Sequence, residues 1–370
     1  MSIVEEVAAA VGLAEGEAGV RDVLRAVARR EPVAVRKVSR ATELPVPIVS
    51  AICNELRKRG VVDRQRPVRL TPLGRELAGG HVHVDPTCPT CAGRGQVIPP
   101  DLEPVVRELA SVAERAPRTR VELDQSHCTV ETKMRRVLVL LEAGALESKR
   151  ILLLGDDDLT SIAIRLVAEE LGAPVKGLTV LDVDPAVVAF VRRFDVASVV
   201  HDLRDPVPEH LRGTADTLFT DPPYTGEGAT LFLSRAAEAT GSPGRDVFLA
   251  FGAKRPDELL RVQRAIAVTG LTVRGLVRNF NEYLGAGVLG GTSHLYHLAT
   301  TSELRPLVEG RYDGPLYTGD FRDPVRAYRC RNCGAVERVG RGRAWRTIET
   351  LRDARCPRCG GEAFRPLAPT

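Results

Sequence analysis

The sequence predicts a Rossmann-like α/β domain flanked by an N-terminal winged helix and a C-terminal zinc ribbon, and three observations predict it. At 151–161, ILLLGDDDLTS, four aliphatic residues run into one glycine, three aspartates and the start of a helical pattern. From there to residue 300, strand-like and helix-like segments alternate, which implies a parallel sheet with crossover helices. Near the C-terminus two Cys-x2-Cys pairs, Cys330/Cys333 and Cys356/Cys359, are separated by 22 residues.

The first stretch carries the most chemistry. Its unbroken aliphatic run reads as a strand buried on both faces, and 159–172 then repeats apolar residues at helical spacing. Ligands of such folds sit at the carboxyl ends of the strands, against the first helix's amino terminus. Methyltransferases of this kind usually place glycines here, admitting a donor that carries a carboxylate. In this chain Gly155 is followed by Asp156, Asp157 and Asp158, which repel a carboxylate and attract an amine. One aspartate could simply cap the helix; three together after a buried strand indicate a cation site.

Length and composition bound the rest. A chain of 370 residues suggests two or three domains, and 44% hydrophobic residues suffice for a full core. No apolar run approaches the ~20 residues that span a bilayer. The acidic N-terminus lacks a signal-peptide pattern, so a cytoplasmic protein with no membrane partner is expected. With 52 Lys+Arg against 48 Asp+Glu there is no global basic field. The preference for arginine over lysine hints at a thermophile. Six of the eight cysteines fall into Cys-x2-Cys pairs, which in the cytoplasm favours metal over disulfide.

Taken in order, residues 1–80 predict the winged helix: helices at 17–30, 33–41 and 47–59, a wing at 61–70 and a helix at 73–78. Arg57, Lys58 and Arg59 end the third helix. They fit either DNA contact or the helix dipole, and since phosphate-neutralising side chains are sparse, nucleic acid is possible but not favoured. Residues 81–123 form a linker in which Cys88 and Cys91 have zinc-knuckle spacing, with His81 and His83 near enough to complete four ligands. Two reduced thiols packed against the next domain explain the same pair. Cys53 and Cys128 are single and expected to be buried, and His127 is a candidate ligand or acid/base.

The catalytic domain is expected at 124–312. After a helix at 130–143 and the 151–161 stretch, a strand at 177–184 brings Asp182 to where this fold holds ribose hydroxyls, while Asp184-Pro185 reads as a helix N-cap. A strand at 197–203 ends in Asp202, a candidate acceptor for an adenine amino group. The strand at 215–225 ends in Asp221-Pro222-Pro223-Tyr224. Its prolines fix a rigid turn, and the tyrosine offers a face for a cation; methyltransferases acting on exocyclic amino groups surround a nitrogen nucleophile with such a turn. A strand at 246–252, a helix at 257–269 and a strand at 271–280 follow. Asn281, Glu282 and Tyr283 then make a candidate substrate wall, before a loop with Gly285, Gly287, Gly290 and Gly291 and an alternating strand at 293–300. Residues 313–370 comprise a linker and the ribbon, whose four cysteines fill a structural zinc site.

The stretches GDDDLTSIA at 155–163, DPPYT at 221–225 and RNFNEY at 278–283 resemble the branched-chain polyamine synthase, or N(4)-bis(aminopropyl)spermidine synthase, family over roughly 124–297. The resemblance implies a methyltransferase/aminopropyltransferase-type sheet and aminopropyl transfer from decarboxylated S-adenosylmethionine to the internal amine of spermidine. Tertiary and then quaternary amines form, and methylthioadenosine leaves. It implies cofactor-site roles for Gly155 and Asp156, for Asp182 on the ribose and for Asp202 on the adenine. Asp157 or Asp158 would act on the attacking amine with Asp221, and Pro222, Tyr224, Asn281, Glu282 and Tyr283 would line the acceptor. The ribbon is no part of this resemblance. The alternatives are a nucleic-acid amino-methyltransferase of DPPY type using S-adenosylmethionine, and a non-catalytic winged-helix sensor. A homodimer is the expected assembly.

Overall fold

The computed structural model describes residues 2–79, 87–284, 291–321, 326–340, 343–345 and 348–367. His81, His83, Gly285, Gly287 and Gly290 lie outside them. The chain forms two compact units, Met1–Gly314 and Pro315–Thr370. No helix among the described residues is long and apolar enough to cross a membrane.

The first unit opens on α1 (Ile3–Val11), whose Ser2 and Glu5 cap one another reciprocally. This helix precedes those expected from periodicity. α2 (Gly16–Arg30), α3 (Val35–Thr42) and α4 (Val46–Lys58) enclose Val20, Leu24, Val27, Val49, Ile52 and Leu56. Antiparallel bridges Val33–Val68 and Val62–Leu70 follow, then α5 (Pro72–Leu77). The basic end of α4 makes contacts within its own helices and the segment that follows. Lys58 pairs with Glu55 at 2.6 Å, Arg59 with Glu55 and Glu6, and Arg57 donates to Asp63 O and Asn54 Oδ1.

α6 (Glu103–Glu114) and α7 (Val130–Glu142) join the main core, where Leu109, Met134 and Val137 meet Leu153, Ile162 and Val180. The sheet elements are β1 (Arg150–Leu154), α8 (Thr160–Glu170), β2 (Gly177–Asp182), α9 (Pro185–Val191), β3 (Ala197–Val200), β4 (Thr217–Thr220), α10 (Gly226–Thr240), β5 (Asp246–Gly252), α11 (Pro256–Val268), β6 (Leu271–Glu282) and β7 (Thr292–Thr300). The strand order is β3-β2-β1-β4-β5-β7-β6. β1 lies between β2 and β4, which buries Ile151, Leu152, Leu153 and Leu154 on both faces. Strand order reverses at β1/β4, so the loops after these two strands emerge side by side.

The expected parallel sheet needs correction at one edge. β7 is antiparallel to both β5 and β6: only nine residues separate β6 from β7, fewer than the dozen or so that a parallel crossover needs. Register shifts break the β6–β7 ladder between Val277 and Asn281, and Asn279 there takes a φ of 53°. Such a bulge re-aims the side chains that follow it.

In the second unit, α12 (Thr318–Phe321) precedes β8 (Arg326–Cys330), β9 (Val336–Val339), α13 (Ile348–Ala354) and β10 (Phe364–Pro366). The strands pair in the order β10-β8-β9 over a small core of Val339, Leu351 and Phe364.

A buried arginine ties the first unit's outer segments together. Arg235, on α10 and 0% exposed, donates to the carbonyls of Leu203, Arg204, Val308 and Gly310 and to Glu238. Arg235→Met strands these acceptors and is expected to cost about 3–5 kcal/mol, read as a lower urea midpoint. Arg235→Lys, lacking the planar fork, should recover little of it.

Candidate active site

The two loops at the strand-order reversal supply the acids, and β1's sequence dictates how. Gly155 turns the chain at a φ of 77°, and Leu159 holds a left-handed φ of 56° at the N-cap of α8. Both are conformations that a tight strand-to-helix turn imposes. Asp156, Asp157 and Asp158 are thereby sent in different directions.

Asp156 points into the fold and accepts from the Ser161 amide and hydroxyl. Burial pushes its carboxyl up to about 7, against the Ser161 hydrogen bonds. Asp182, at the end of β2, accepts from Asp156 N at 2.8 Å and Asp184 N at 2.7 Å. It thus joins the β1 and β2 loops, and burial raises its carboxyl too. Asp184 caps α9 through Ala186 N, as its proline-following pattern predicts.

Asp158 and Asp221 share one counter-ion that sequence reasoning missed. Arg136, on α7 and 1% exposed, donates from Nη1 to Asp158 Oδ2 at 2.9 Å and Thr160 Oγ1 at 3.0 Å. Its Nη2 reaches Asp221 Oδ2 at 2.7 Å and Tyr283 Oη at 3.2 Å, and its Nε reaches Asn281 Oδ1 at 2.8 Å. The guanidinium carbon lies 4.9 Å from the centre of the Phe219 ring. Burial would raise the Asp158 carboxyl, but Arg136, Lys133 and the Cys128 amide together hold it below the usual range. Asp221 is pushed up to about 6 by burial, which Arg136 only partly offsets.

The turn after β4 completes this face. Tyr283 Oη donates to Asp221, and Tyr224 Oη lies 3.0 Å from Asp221 Oδ1 and 2.7 Å from Tyr283 Oη. Burial and the Asp221 charge hold both phenols well above their ordinary value, so they remain hydrogen-bond donors. Pro222 is buried. A Cβ on Gly228, in the first turn of α10, would stand 2.3 Å from Pro223 O, so this glycine lets the helix close against the turn.

Asp157 is different. It is half-buried and accepts from Ser126 N at 3.0 Å, and no cation pairs with it among the described residues. Burial first, and then the charges of Asp158, Asp182 and Asp221, hold its carboxyl well above the usual range. The 126–129 segment is held in place by 282–284, with Thr129 N donating to Glu282 O and Leu284 N to His127 O. His127 is a tether there, its ring nitrogens 2.9 Å from Asp157 O and Pro117 O.

Of the expected substrate wall, alternation along the strand divides the residues. Asn281 and Tyr283 face Arg136 and Asp221, whereas Glu282 turns away to Arg40 at 2.6 Å and Arg94 at 3.2 Å. Glu282 therefore ties the N-terminal helices and the 87–96 segment to this hairpin, a correction to the expectation of an acceptor contact. Asp202 accepts from Arg204 N and approaches Arg311 at 4.0 Å, an arginine that Asp205 and Asp313 also engage. Cys91 is buried and Cys88 exposed. In the second unit, Sγ atoms of Cys330 and Cys359 lie 3.6 Å apart and those of Cys333 and Cys356 3.7 Å, all four within 4.8 Å of one another. Tetrahedral zinc–thiolate bonds of ~2.3 Å require about this separation.

Arg136 and Lys133 were not legible because α7 mixes them with Thr132, Arg135 and apolar residues, a pattern that also describes a solvated face. Only the packing of α7 against the sheet buries them.

A Rossmann-like sheet with converging acids at its strand-order reversal defines a nucleotide-type transferase. The family model for the branched-chain polyamine synthase A C-terminal domain matches residues 104–303. An uncharacterized protein of Methanocaldococcus jannaschii is 33% identical over 99% of this chain and 92% of its own. The N(4)-bis(aminopropyl)spermidine synthase of Thermococcus kodakarensis is 32% identical over 68% of this chain and 74% of its own. The solved branched-chain polyamine synthase of Thermus thermophilus, in complex with N4-aminopropylspermidine and 5'-methylthioadenosine, is 26% identical with a TM-score of 0.68, covering 86% of this chain and 96% of that one. The chain belongs to the branched-chain polyamine synthase family.

Removing Arg136 leaves Asp221 buried without a counter-ion and Asp158 with Lys133 as its remaining cation, so Arg136→Met should cost about 3–5 kcal/mol near neutral pH. Their folded-state pKa values then rise, which favours the protonated forms. The deficit should therefore shrink as pH falls toward ~4, measured by urea unfolding against pH.

Proposed function

We propose that this chain moves aminopropyl groups from decarboxylated S-adenosylmethionine to the internal secondary amine of spermidine, releasing methylthioadenosine. The observation that carries the reading is Asp157: a carboxyl with three acids around it and no cation paired with it among the described residues, beside Asp158 and Asp221, which share Arg136. The missing positive charge is one that a polyammonium substrate brings. The methyl-transfer alternative brings a donor carboxylate to a loop of three aspartates, where Arg136 is already engaged by Asp158 and Asp221.

The chemistry follows from these charges. Spermidine's internal nitrogen is protonated at neutral pH and must lose that proton before its lone pair can attack. Asp157, with its raised basicity, accepts the proton. The nitrogen then attacks the aminopropyl carbon bound to sulfur in line, the C–N bond forms, and the C–S pair leaves with methylthioadenosine. Asp221, fixed by Arg136, Tyr224 and Tyr283, steadies the acceptor's charge. A second transfer starts from the tertiary product after loss of its proton and ends at a quaternary ammonium, which has none to give up. After that proton is accepted, the acids act in this step by stabilising the cation that forms. Asp182 and Asp202 are the residues assigned to the ribose and adenine, with Gly155 and Asp156 shaping that end; Pro222, Tyr224, Asn281 and Tyr283 line the acceptor side.

In chain order we assign a winged helix to 1–80, a linker to 81–123, the catalytic domain to 124–312 and a linker with a zinc ribbon to 313–370. The ribbon reading rests on thiol separations that suit a tetrahedral ion. Unbridged cysteines throughout accord with a reducing, cytoplasmic setting, and a homodimer is the expected assembly.

Product mass spectrometry with decarboxylated S-adenosylmethionine and spermidine tests the reaction: branched amines with methylthioadenosine are expected, and their absence would sink it. Asp157→Asn should lower kcat by about 10²–10⁴-fold. In the parent enzyme kcat/KM should rise with pH as the raised Asp157 carboxyl loses its proton, and this limb should vanish in the variant. Metal analysis should find one zinc per chain, lost in Cys356→Ser.

A further inference from the structure

The C-terminal unit has a charge balance opposite to the rest of the chain. Residues 315–370 carry twelve arginines, no lysine and six acids, a net of +6, while residues 1–314 sum to −2. Four thiolates around a divalent ion would subtract two and leave the unit basic.

Strand alternation and register sort these arginines. Cys330, Val339 and Phe364 point inward and are buried, so Ala327, Arg329, Val336, Arg338 and Arg365 share the outer face. Arg329 stands directly opposite Arg365, and Arg338 opposite Ala327. Arg331 N donates to Ala363 O at 2.8 Å, which continues the β8–β10 ladder and sets exposed Arg331 beyond Arg329. Arg331, Arg352 and Arg355 then border a cleft that Asp353 and Glu362 also line; of these, Arg355 pairs with Glu362 at 2.8 Å.

This face is poor design for stability alone. Like charges directly opposite on neighbouring strands destabilise a sheet, yet no carboxylate pairs with Arg329, Arg338 or Arg365 among the described residues. The described acid of β9, Glu337, is engaged by Trp345 Nε1 at 3.3 Å. Of the unit's aromatic residues, Tyr328, Trp345 and Phe364 belong to its core, and Tyr317 and Phe321 precede β8, so the strands' outer face itself carries guanidinium forks and no ring. Such forks match phosphate oxygens. The family model, at 104–303, lies wholly outside this unit, whereas the relative aligned over 99% of the chain spans it.

We propose that the outer face of the β10-β8-β9 sheet docks the phosphate backbone of nucleic acid, without reading base sequence. The proposal is independent of the transfer reading, and a separate transfer assay on the same preparations keeps the two apart.

The test is fluorescence anisotropy of a labelled DNA duplex, and of an RNA duplex of the same sequence, with the zinc-loaded full-length protein over a salt series. Binding with a Kd of about 1–100 μM near physiological salt is expected. Arg329→Glu/Arg365→Glu should weaken it at least about tenfold and reduce the salt slope by about 2, with zinc content and aminopropyl transfer unchanged. Arg64→Glu/Arg66→Glu, on the exposed segment between α4 and α5, should leave it unaltered. Binding of one duplex type alone would support the proposal and specify the polymer. No binding of either duplex, equal binding by the Arg329/Arg365 variant, or loss confined to the Arg64/Arg66 variant would overturn it.

Discussion

The site depends on one guanidinium shared between two carboxylates. Asp158 ends the turn after β1 and Asp221 begins the turn after β4, and like charges this deep cannot both remain ionised unaided. Arg136 bridges them from α7 with both of its amino groups, while Asn281 orients its Nε and Phe219 lies beneath its plane. The planar fork is the relevant property, because a lysine at this position would offer a single nitrogen. One side chain therefore links α7, the β1 loop, the β4 turn and the end of β6.

Neutralising two acids leaves the third exposed to the consequences. Asp157 takes its high basicity from burial and from the charges of Asp158, Asp182 and Asp221. Protonation of Asp157 stabilises the folded protein at low pH and this contribution fades as pH rises, the usual sign for a carboxyl with a raised folded-state pKa. A substrate with several ammonium groups reverses that trend by supplying the missing charge. Stability is thus given up locally where binding recovers it.

The β6–β7 hairpin couples this centre to the N-terminal helices. Asn281 and Tyr283 face the acids, Glu282 between them reaches Arg40 and Arg94, and nearby Arg278 and His294 engage Glu43. The bulge before Asn281 makes the division possible by resetting which side chains point to which face. α4, whose basic end resembles a recognition helix, instead spends Arg57, Lys58 and Arg59 on its own domain, so the unit's role is more readily seen in this packing than in contact with DNA.

The sequence by itself determined the elements and the acids. An aliphatic run buried on both faces, a glycine able to take positive φ, and aspartates at successive strand ends are local properties that survive any reasonable packing, and ILLLGDDD and DPPY carried them. The spacing of four cysteines likewise determined that their thiols could converge. Tertiary structure decided the pairing of charges. Nothing local distinguishes Arg136 from the half-buried Arg135 beside it, Asp157 from Asp158, or Glu282 from Asn281, because each difference arises from which face meets the sheet. The direction of β7 and the exposed arginine face of the C-terminal sheet were decided there too, since strand register is a relation between segments distant in the chain.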